Sequence, residues 1–245
     1  MGSQVKPSAK IEDLYDPTFV TSLFNEMSQT YGIVNSISSF GFCFFWRSQC
    51  ANLLQYNDDD LVVDLMSGMA ELAITINGKN PNLRFEAIDL SPAMCDLATK
   101  SVKRNRLRNC TVTVGDALAT NIESNSVDAV VSTFGLKTFS REQLESLAAE
   151  VQRILKPGGK VAFLEISVPK SAVLRIPYMV YLKYFIPVLG RLFMGNPDNY
   201  RLLGIYTSRF KCCDEAIEIF RSAGLTIEPQ SFFFGCATGF RGRKI

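Results

Sequence analysis

Histidine is absent from this 245-residue chain. That removes the commonest general base at neutral pH and the commonest ligand for zinc and non-haem iron. Cysteine does not take its place. The seven cysteines, at 43, 50, 95, 110, 212, 213 and 236, form no Cys-x-x-Cys pair, so they read as small apolar residues in a reducing compartment, and no metal site is expected. An excess of charge is missing too. The net charge of +2 gives no electrostatic case for binding nucleic acid. No uninterrupted apolar run reaches the ~18 residues that argue a membrane-spanning helix. The N-terminal "MGSQVKPSAK" lacks the apolar centre of a signal peptide and reads as a tail. Internal repeats are missing as well. What is present, 47% hydrophobic and 20% charged residues, suits one cytoplasmic α/β domain with a small appended lobe.

The first 57 residues read as a tail followed by helices. In "DPTFVTSLFNEMSQTYGIVN" Asp16 is placed as an N-cap and Pro17 as the first helical residue. From residue 58 the pattern changes. "LVVDL", "LRFEAIDL", "CTVTVGD", "VDAVVST" and "GKVAFLEIS" are short strand-like runs with helical stretches between most of them. That alternation implies βαβ units and a mostly parallel sheet covered on both faces. "LKPGG" at 155–159 reads as a helix end turning into the next strand. Residues 170–208 interrupt the alternation with an apolar, aromatic segment. Residues 209–245 supply a helix, "CDEAIEIFRSAG", and two closing strands. The expected organisation is therefore a tail and helical cap over 1–57, a core over 58–169, an insertion over 170–208, and a completing unit over 209–245.

Ligands in open α/β sheets bind beyond the carboxyl ends of the strands. Three acids fall there in succession: Asp64, Asp89 and Asp116. Asp64 precedes a turn with one glycine, Gly68. Asp89 lies 25 residues further on (64 to 89), near the ~20-residue offset at which an acid meets a ribose hydroxyl. A dinucleotide fits poorly, because its pyrophosphate needs more glycines and no neighbouring carboxylate, whereas this turn carries Met69, Ala70 and Glu71. A cofactor with an ammonium and a sulfonium cation tolerates those acids, which points to S-adenosylmethionine.

At these residues the chain resembles a class I methyltransferase, and more closely the ubiquinone/menaquinone C-methyltransferase family. "VVDLMSGMAEL", "AIDLSPAMCDLA", "GDA", "VDAVVSTFGL" and "RILKPGGKVAFLEIS" resemble the family's motifs, and "SSFGFCFFW", "IPVLGRLFMGN", "FRSAGL" and "GCATGFRGRK" follow in its order. The likeness runs from about residue 24 to the C-terminus. It implies a Rossmann-like, mostly parallel seven-stranded sheet with helices on both faces, N-terminal helices and a helical lid insertion. It also implies a cofactor pocket formed by Tyr31, Asp64, Ser67, Gly68, Met69, Asp89, Leu90, Met94, Asp116, Ala117, Thr133 and Phe134. In it Asp89 would accept from the ribose hydroxyls and Asp116 from the adenine amine, with Tyr31 closing from the N-terminal helix.

The departures lie mainly on the acceptor side. Ala70 stands where the family usually has a second glycine, which right-handed helical geometry would accommodate at little cost. Cys43 and Phe240 stand where it commonly has histidines, and Lys137 and Thr138 where it has Arg-Asn. Lys137 and Thr138, at the end of the fourth strand, are the candidate catalytic pair. Glu165, Tyr200, Tyr206 and Cys43 are other candidate bases. Tyr178, Tyr181, Phe185 and Tyr206 are candidate acceptor contacts, part of an aromatic segment that includes Tyr184 and Phe193. Arg175, Lys183 and Arg191 in that segment allow peripheral contact with a membrane but do not by themselves argue it. The function expected is S-adenosylmethionine-dependent methyl transfer to a small hydrophobic acceptor, quinol-like, prenylated or polyketide-like, with carbon favoured over oxygen or nitrogen. Two alternatives stand beside it. One is a cofactor-retaining scaffold that runs a cyclisation or another non-methyl reaction. The other is a non-catalytic binding subunit.

Overall fold

The computed structural model of the protein describes residues 14–38, 41–192 and 196–245, without the side chains of 29–38 and 197. The expected N-terminal tail, the Tyr31 side chain and Phe193 lie outside that description. Seven strands form one sheet: β1 (Leu61–Leu65), β2 (Arg84–Asp89), β3 (Cys110–Val114), β4 (Val127–Thr133), β5 (Leu155–Ile166), β6 (Leu225–Phe232) and β7 (Ala237–Lys244). Their order is β3-β2-β1-β4-β5-β7-β6. The first five run parallel, and β7 pairs antiparallel with both β5 and β6. The order reverses between β1 and β4, so a crevice opens at their carboxyl ends. "LKPGG" differs from expectation. Leu155 already pairs with Val127, then the register slips before Lys160 meets Ala129, so the turn residues form an irregularity within β5.

Alternation along each strand divides the core. Val63, Leu65 and Val130 face helices α5 (Arg141–Ile154) and α9 (Asp214–Ser222). Val62, Ala129 and Val131 face α2 (Phe42–Ala51), α3 (Glu71–Asn77) and α4 (Pro92–Arg104). The period of two sends neighbouring side chains to opposite faces. Phe240, at a family histidine position, stacks on Phe163 at 5.2 Å between centroids and meets Phe220 at 4.9 Å. It is a fully buried core ring, so no catalytic histidine equivalent is expressed there.

A third cluster lies over the crevice. It joins Leu23 and Met27 of α1 (Pro17–Ser38) to Leu182, Ile186, Tyr200 and Tyr206. Asp16 starts α1 as expected, its carboxylate accepting from the amides of Thr18 at 2.8 Å and Phe19 at 3.0 Å. Residues 170–210 form α6 (Ala172–Val180), a π turn (Tyr181–Phe185), α7 (Ile186–Leu192) and α8 (Pro197–Phe210). The π turn falls just before Pro187, which removes a backbone donor. The window Ala172–Leu189 is long and apolar enough to cross a membrane by length and composition only. Its outward face is an apolar stripe. Val173, Ile176, Val180, Tyr184, Val188 and Leu192 recur every three or four residues and are all exposed.

Candidate functional site

The loop after β1 folds around the chain's own carboxylate. Met66, Gly68 and Ala70 all take left-handed backbone conformations, with φ of 54°, 54° and 57°. Ala70 is thus not in the right-handed geometry expected for it. It holds a conformation that crowds Cβ against the backbone and costs roughly 1–2 kcal/mol. The bend aims the Gly68 amide at Asp89, whose Oδ2 accepts it at 2.8 Å while its Oδ1 accepts the Ser91 amide at 2.9 Å. In a phosphate-binding loop that amide would face the ligand. Here it is spent on Asp89, which argues structurally against a pyrophosphate. Burial raises the Asp89 pKa, opposed by these two amide bonds.

An open cleft of about 840 Å³, solvent at its mouth included, runs along the carboxyl ends of β1, β2, β3 and β4. Of the residues expected at the cofactor, Ser67, Gly68, Asp89, Leu90, Met94, Asp116, Ala117, Thr133 and Phe134 all line it. Asp64 and Met69 do not. Asp64 is almost fully buried beneath the loop, where its Oδ2 accepts the Ala73 amide at 3.3 Å. Burial pushes its pKa up to about 8, against the ordinary 3.8. Its place is under the start of α3 rather than in the cleft. Met66 lines the cleft in Met69's stead. A Cβ on Gly135 would sit 2.7 Å from Met66, so this close packing of the two loops requires the glycine.

Sequence reasoning missed the residues that distant helices bring in. Val20, Thr21 and Phe24 of α1 line the cleft, and Asn25 fastens that helix to α4, accepting from Ser91 Oγ at 2.6 Å and the Ala93 amide at 3.3 Å. Arg47 of α2 also lines it. Its Nη2 pairs with Glu71 at 2.5 Å, its guanidinium lies 5.4 Å from the Phe134 ring centre, and its buried Nη1 has no partner among the described residues. The only signal in the sequence was a basic residue directly after Trp46.

A second cavity of about 660 Å³, solvent at its mouth included, lies under α8, lined by α1, α7, α8 and the ends of β4 and β5. It shares Phe24, Phe134 and Thr138 with the first, so those three side chains form the wall between them. Its lining is mostly apolar, with Leu23, Met27, Ile166, Ile186 and Leu202 among it, but includes Lys137, Asn199, Tyr200 and Tyr206.

Lys137 is buried, and its ammonium donates to Glu165 Oε1 at 3.0 Å and to the Phe134 carbonyl. Glu165, fully buried, also accepts the amides of Lys137 at 3.1 Å and Ile166 at 2.7 Å. An ammonium held in this way favours a bracing role over that of a general base. Thr138 Oγ1 donates to the Gly135 carbonyl at 2.7 Å. Tyr206 lines the second cavity, but its hydroxyl donates to the Leu14 carbonyl at 2.5 Å, and burial raises its pKa. The other expected acceptor contacts fall elsewhere. Tyr178 donates to the Cys236 carbonyl at 3.3 Å. Tyr181 stacks on Phe185 at 6.0 Å, and Phe185 is exposed. None of these three is among the residues lining the cavity. Among the described residues, no group of three or more His, Cys, Asp or Glu could hold a metal ion.

The donor set suits a zwitterionic nucleoside cofactor. Asp89 and Asp116 supply acceptors for hydroxyls and an amine. The unpartnered Arg47 Nη1 suits a carboxylate, and the neighbouring Glu71 suits an ammonium. Ser67 Oγ, also buried and without a partner among the described residues, adds one more such polar atom in the cleft.

Comparison with known proteins agrees with this. A model of the ubiE/COQ5 methyltransferase family matches residues 10–244. A demethylmenaquinone methyltransferase of Thermotoga maritima is 31% identical over 91% of this chain and 95% of its own length. One of Bacillus cytotoxicus is 30% identical over 92% and 95%. Among solved structures, the [4+2]-cyclase SpnF superposes with a TM-score of 0.60 at 15% identity, covering 81% of this chain and 79% of that one. At that identity the likeness is one of fold.

Proposed function

We propose that this chain, which belongs to the ubiE/COQ5 methyltransferase family, methylates a ring carbon of a hydroxylated aromatic acceptor with an apolar tail, a quinol of the demethylmenaquinone type. Its sheet order and antiparallel last strand are those of the class I S-adenosylmethionine-dependent methyltransferases. When bound in the cleft, S-adenosylmethionine supplies an electrophilic methyl for direct displacement. The observation that carries the reading is the pair of adjoining cavities, one carrying Arg47, Glu71, Asp89 and Asp116 and the other without a carboxylate among the described residues, that share Phe24, Phe134 and Thr138 as wall.

The chain's own residues do the rest by placement. Asp89 and Asp116 hold the nucleoside, and Arg47 and Glu71 hold the amino-acid end. The Phe24 and Phe134 rings exclude water from the wall where the methyl passes. The Lys137–Glu165 pair braces the turn that presents Thr138. Alignment and water exclusion are large contributions in a displacement of this kind. An electron-rich ring carbon flanked by a hydroxyl is already nucleophilic, so the lack of histidine is no obstacle. The names of the relatives favour a quinol acceptor.

The helices of 170–208 act as a lid over the acceptor cavity, and their outward stripe rests on a lipid surface from which a tailed acceptor enters. Charge supports that occupant. Between residues 171 and 210 stand Arg175, Lys183, Arg191, Arg201 and Arg209 against Asp198 alone, a complement to anionic headgroups.

Calorimetry with S-adenosylmethionine followed by product mass tests the core of the reading. The expected product carries one added methyl in place of hydrogen. Cofactor binding with a product of unchanged mass would favour a cyclising scaffold, and no cofactor binding would favour a binding subunit.

A further inference from the structure

Asn199 is buried in the wall of the acceptor cavity, with 2% of its surface exposed. Among the described residues, neither its amide nitrogen nor its amide oxygen has a hydrogen-bond partner. Its position is fixed by the first turn of α8. Asn196 caps that turn by accepting from the Asp198 amide at 3.1 Å, and the Asn199 amide donates to the Asn196 carbonyl at 3.2 Å. The backbone amide is thus satisfied locally, while the side chain belongs to the wall of a mostly apolar cavity whose polar members Lys137, Thr138 and Tyr206 are engaged by Glu165, the Gly135 carbonyl and the Leu14 carbonyl. Burying a donor and an acceptor without partners is unfavourable, and folded chains seldom do so without a reason.

We infer that Asn199 is an acceptor-recognition residue that reads a hydroxyl on the acceptor ring. A phenolic or enolic O–H is both donor and acceptor. One such group can donate to Oδ1 and accept from Nδ2, filling both vacancies at once. An apolar ring without oxygen would leave both unfilled, so the site selects against it. Lys137 cannot fill both halves of that exchange, because an ammonium only donates, and its ammonium already bonds Glu165 and the Phe134 carbonyl. Asn199 therefore divides the labour with the cavity: apolar walls hold the tail and ring, and one amide sets which edge of the ring turns toward the wall shared with the cofactor cleft. The inference rests on the acceptor reading given above and adds the ring oxygen and the residue that binds it.

The test compares wild type with Asn199→Leu, which keeps size and removes both polar atoms. The probes are 2-prenyl-1-naphthol and 2-prenylnaphthalene, titrated by calorimetry in the presence of S-adenosylhomocysteine. Wild type should prefer the naphthol by about 10- to 100-fold. Asn199→Leu should bring the two probes to within about threefold and leave the S-adenosylhomocysteine affinity unchanged. Without ligand, Asn199→Leu should also melt about 2–6 °C higher, because an unpaired buried amide has been removed. A merely structural asparagine would lower the melting temperature instead. A lower melting temperature, a preference that survives in Asn199→Leu, or no binding of either probe to wild type overturns the inference. Failure of the methyl-transfer reading is separately visible. It would appear as an Asn199-dependent preference for the naphthol in a protein that transfers no methyl to it.

Discussion

Replacing Lys137 with Met should cost stability first and chemistry second. The side chain is almost fully buried, and its partner Glu165 is completely buried. Removing one member of a buried ion pair leaves an uncompensated charge, at a cost of about 3–5 kcal/mol. Glu165 keeps two amide donors, those of Lys137 at 3.1 Å and Ile166 at 2.7 Å, which places the expected loss near the lower end, at about 3 kcal/mol. For a chain of this size that lowers the melting temperature by roughly 6–12 °C. The assay is urea unfolding of wild type, Lys137→Met, Glu165→Gln and the double variant. The double variant should be more stable than additivity predicts, with a coupling of at least about 2 kcal/mol. Below the transition, Lys137→Met should keep its cofactor affinity to within about threefold, and its pH–rate profile should keep both limbs. If Lys137 were a free general base, the pattern would invert: stability would hold, the rate would fall by ~10²–10⁴, and one limb would vanish. A loss of less than about 1 kcal/mol, or strict additivity, refutes the brace.

Arg47→Met should weaken S-adenosylhomocysteine binding by about 10- to 100-fold, as expected for loss of a charge-assisted contact, with Arg47→Lys recovering part; equal calorimetric affinities would remove Arg47 from the site. Asp64 has a folded pKa of about 8 against 3.8, so its contribution to stability is fully present below 3.8 and is lost as pH rises through about 8. The stability of Asp64→Asn relative to wild type should therefore grow with pH by about 1.4 kcal/mol per unit between pH 5 and 8, and urea unfolding at several pH values that gave a constant difference would contradict this. Ala70→Gly relieves a left-handed alanine and should stabilise the fold by about 1 kcal/mol, less the glycine's greater freedom when unfolded; a loss in thermal melting would show the strain is not there. Val180→Asp with Tyr184→Asp should cut co-sedimentation with anionic phosphatidylglycerol vesicles at least about tenfold while sparing cofactor affinity, and undiminished sedimentation would take the stripe off the lipid surface.

The lining of the first cleft was largely legible because its residues occupy repeated positions. Asp89, Asp116 and Thr133 each stand where a parallel strand delivers the chain to the same edge, so strand periodicity alone puts them at one crevice. Backbone conformation was not legible. Ala70 read as compatible with ordinary helix geometry, yet the bend that carries the Gly68 amide to Asp89 needs left-handed residues at 66, 68 and 70. Nor was the contribution of elements remote in sequence. Arg47, Phe24 and Asn25 meet the crevice only after α1 and α2 have packed over it.

The acceptor side misled for a different reason. Aromatic richness in 171–194 marks an amphipathic helix but does not say which face turns inward, and the π turn shifts the phase midway. Tyr178 turned to the Cys236 carbonyl and Phe185 to solvent, while the inward contacts came from Leu182 and Ile186. Asn199 carried no reading from the sequence, where nothing distinguishes a buried amide from a solvated one. Only the structure shows that Asn196 already holds the cap.

That division has a consequence for the chemistry. Both strong ion pairs near the cleft, Arg47–Glu71 and Lys137–Glu165, are internal to the fold, and the hydroxyl of Tyr206 is engaged by a carbonyl. Little remains that is free to take a proton, while much is rigidly placed. A reaction whose nucleophile must first be deprotonated would be poorly served by such a site. One whose acceptor carbon is activated by its own ring oxygen needs to be held in line and dry while the C–C bond forms and the S–C bond breaks, and the displaced ring proton passes to solvent afterwards as aromaticity is restored. The absence of histidine, which at first excluded chemistries, thus fits an enzyme that acts by placement, with the acceptor's own hydroxyl supplying the electron density and a neutral amide, rather than a base, set beside it.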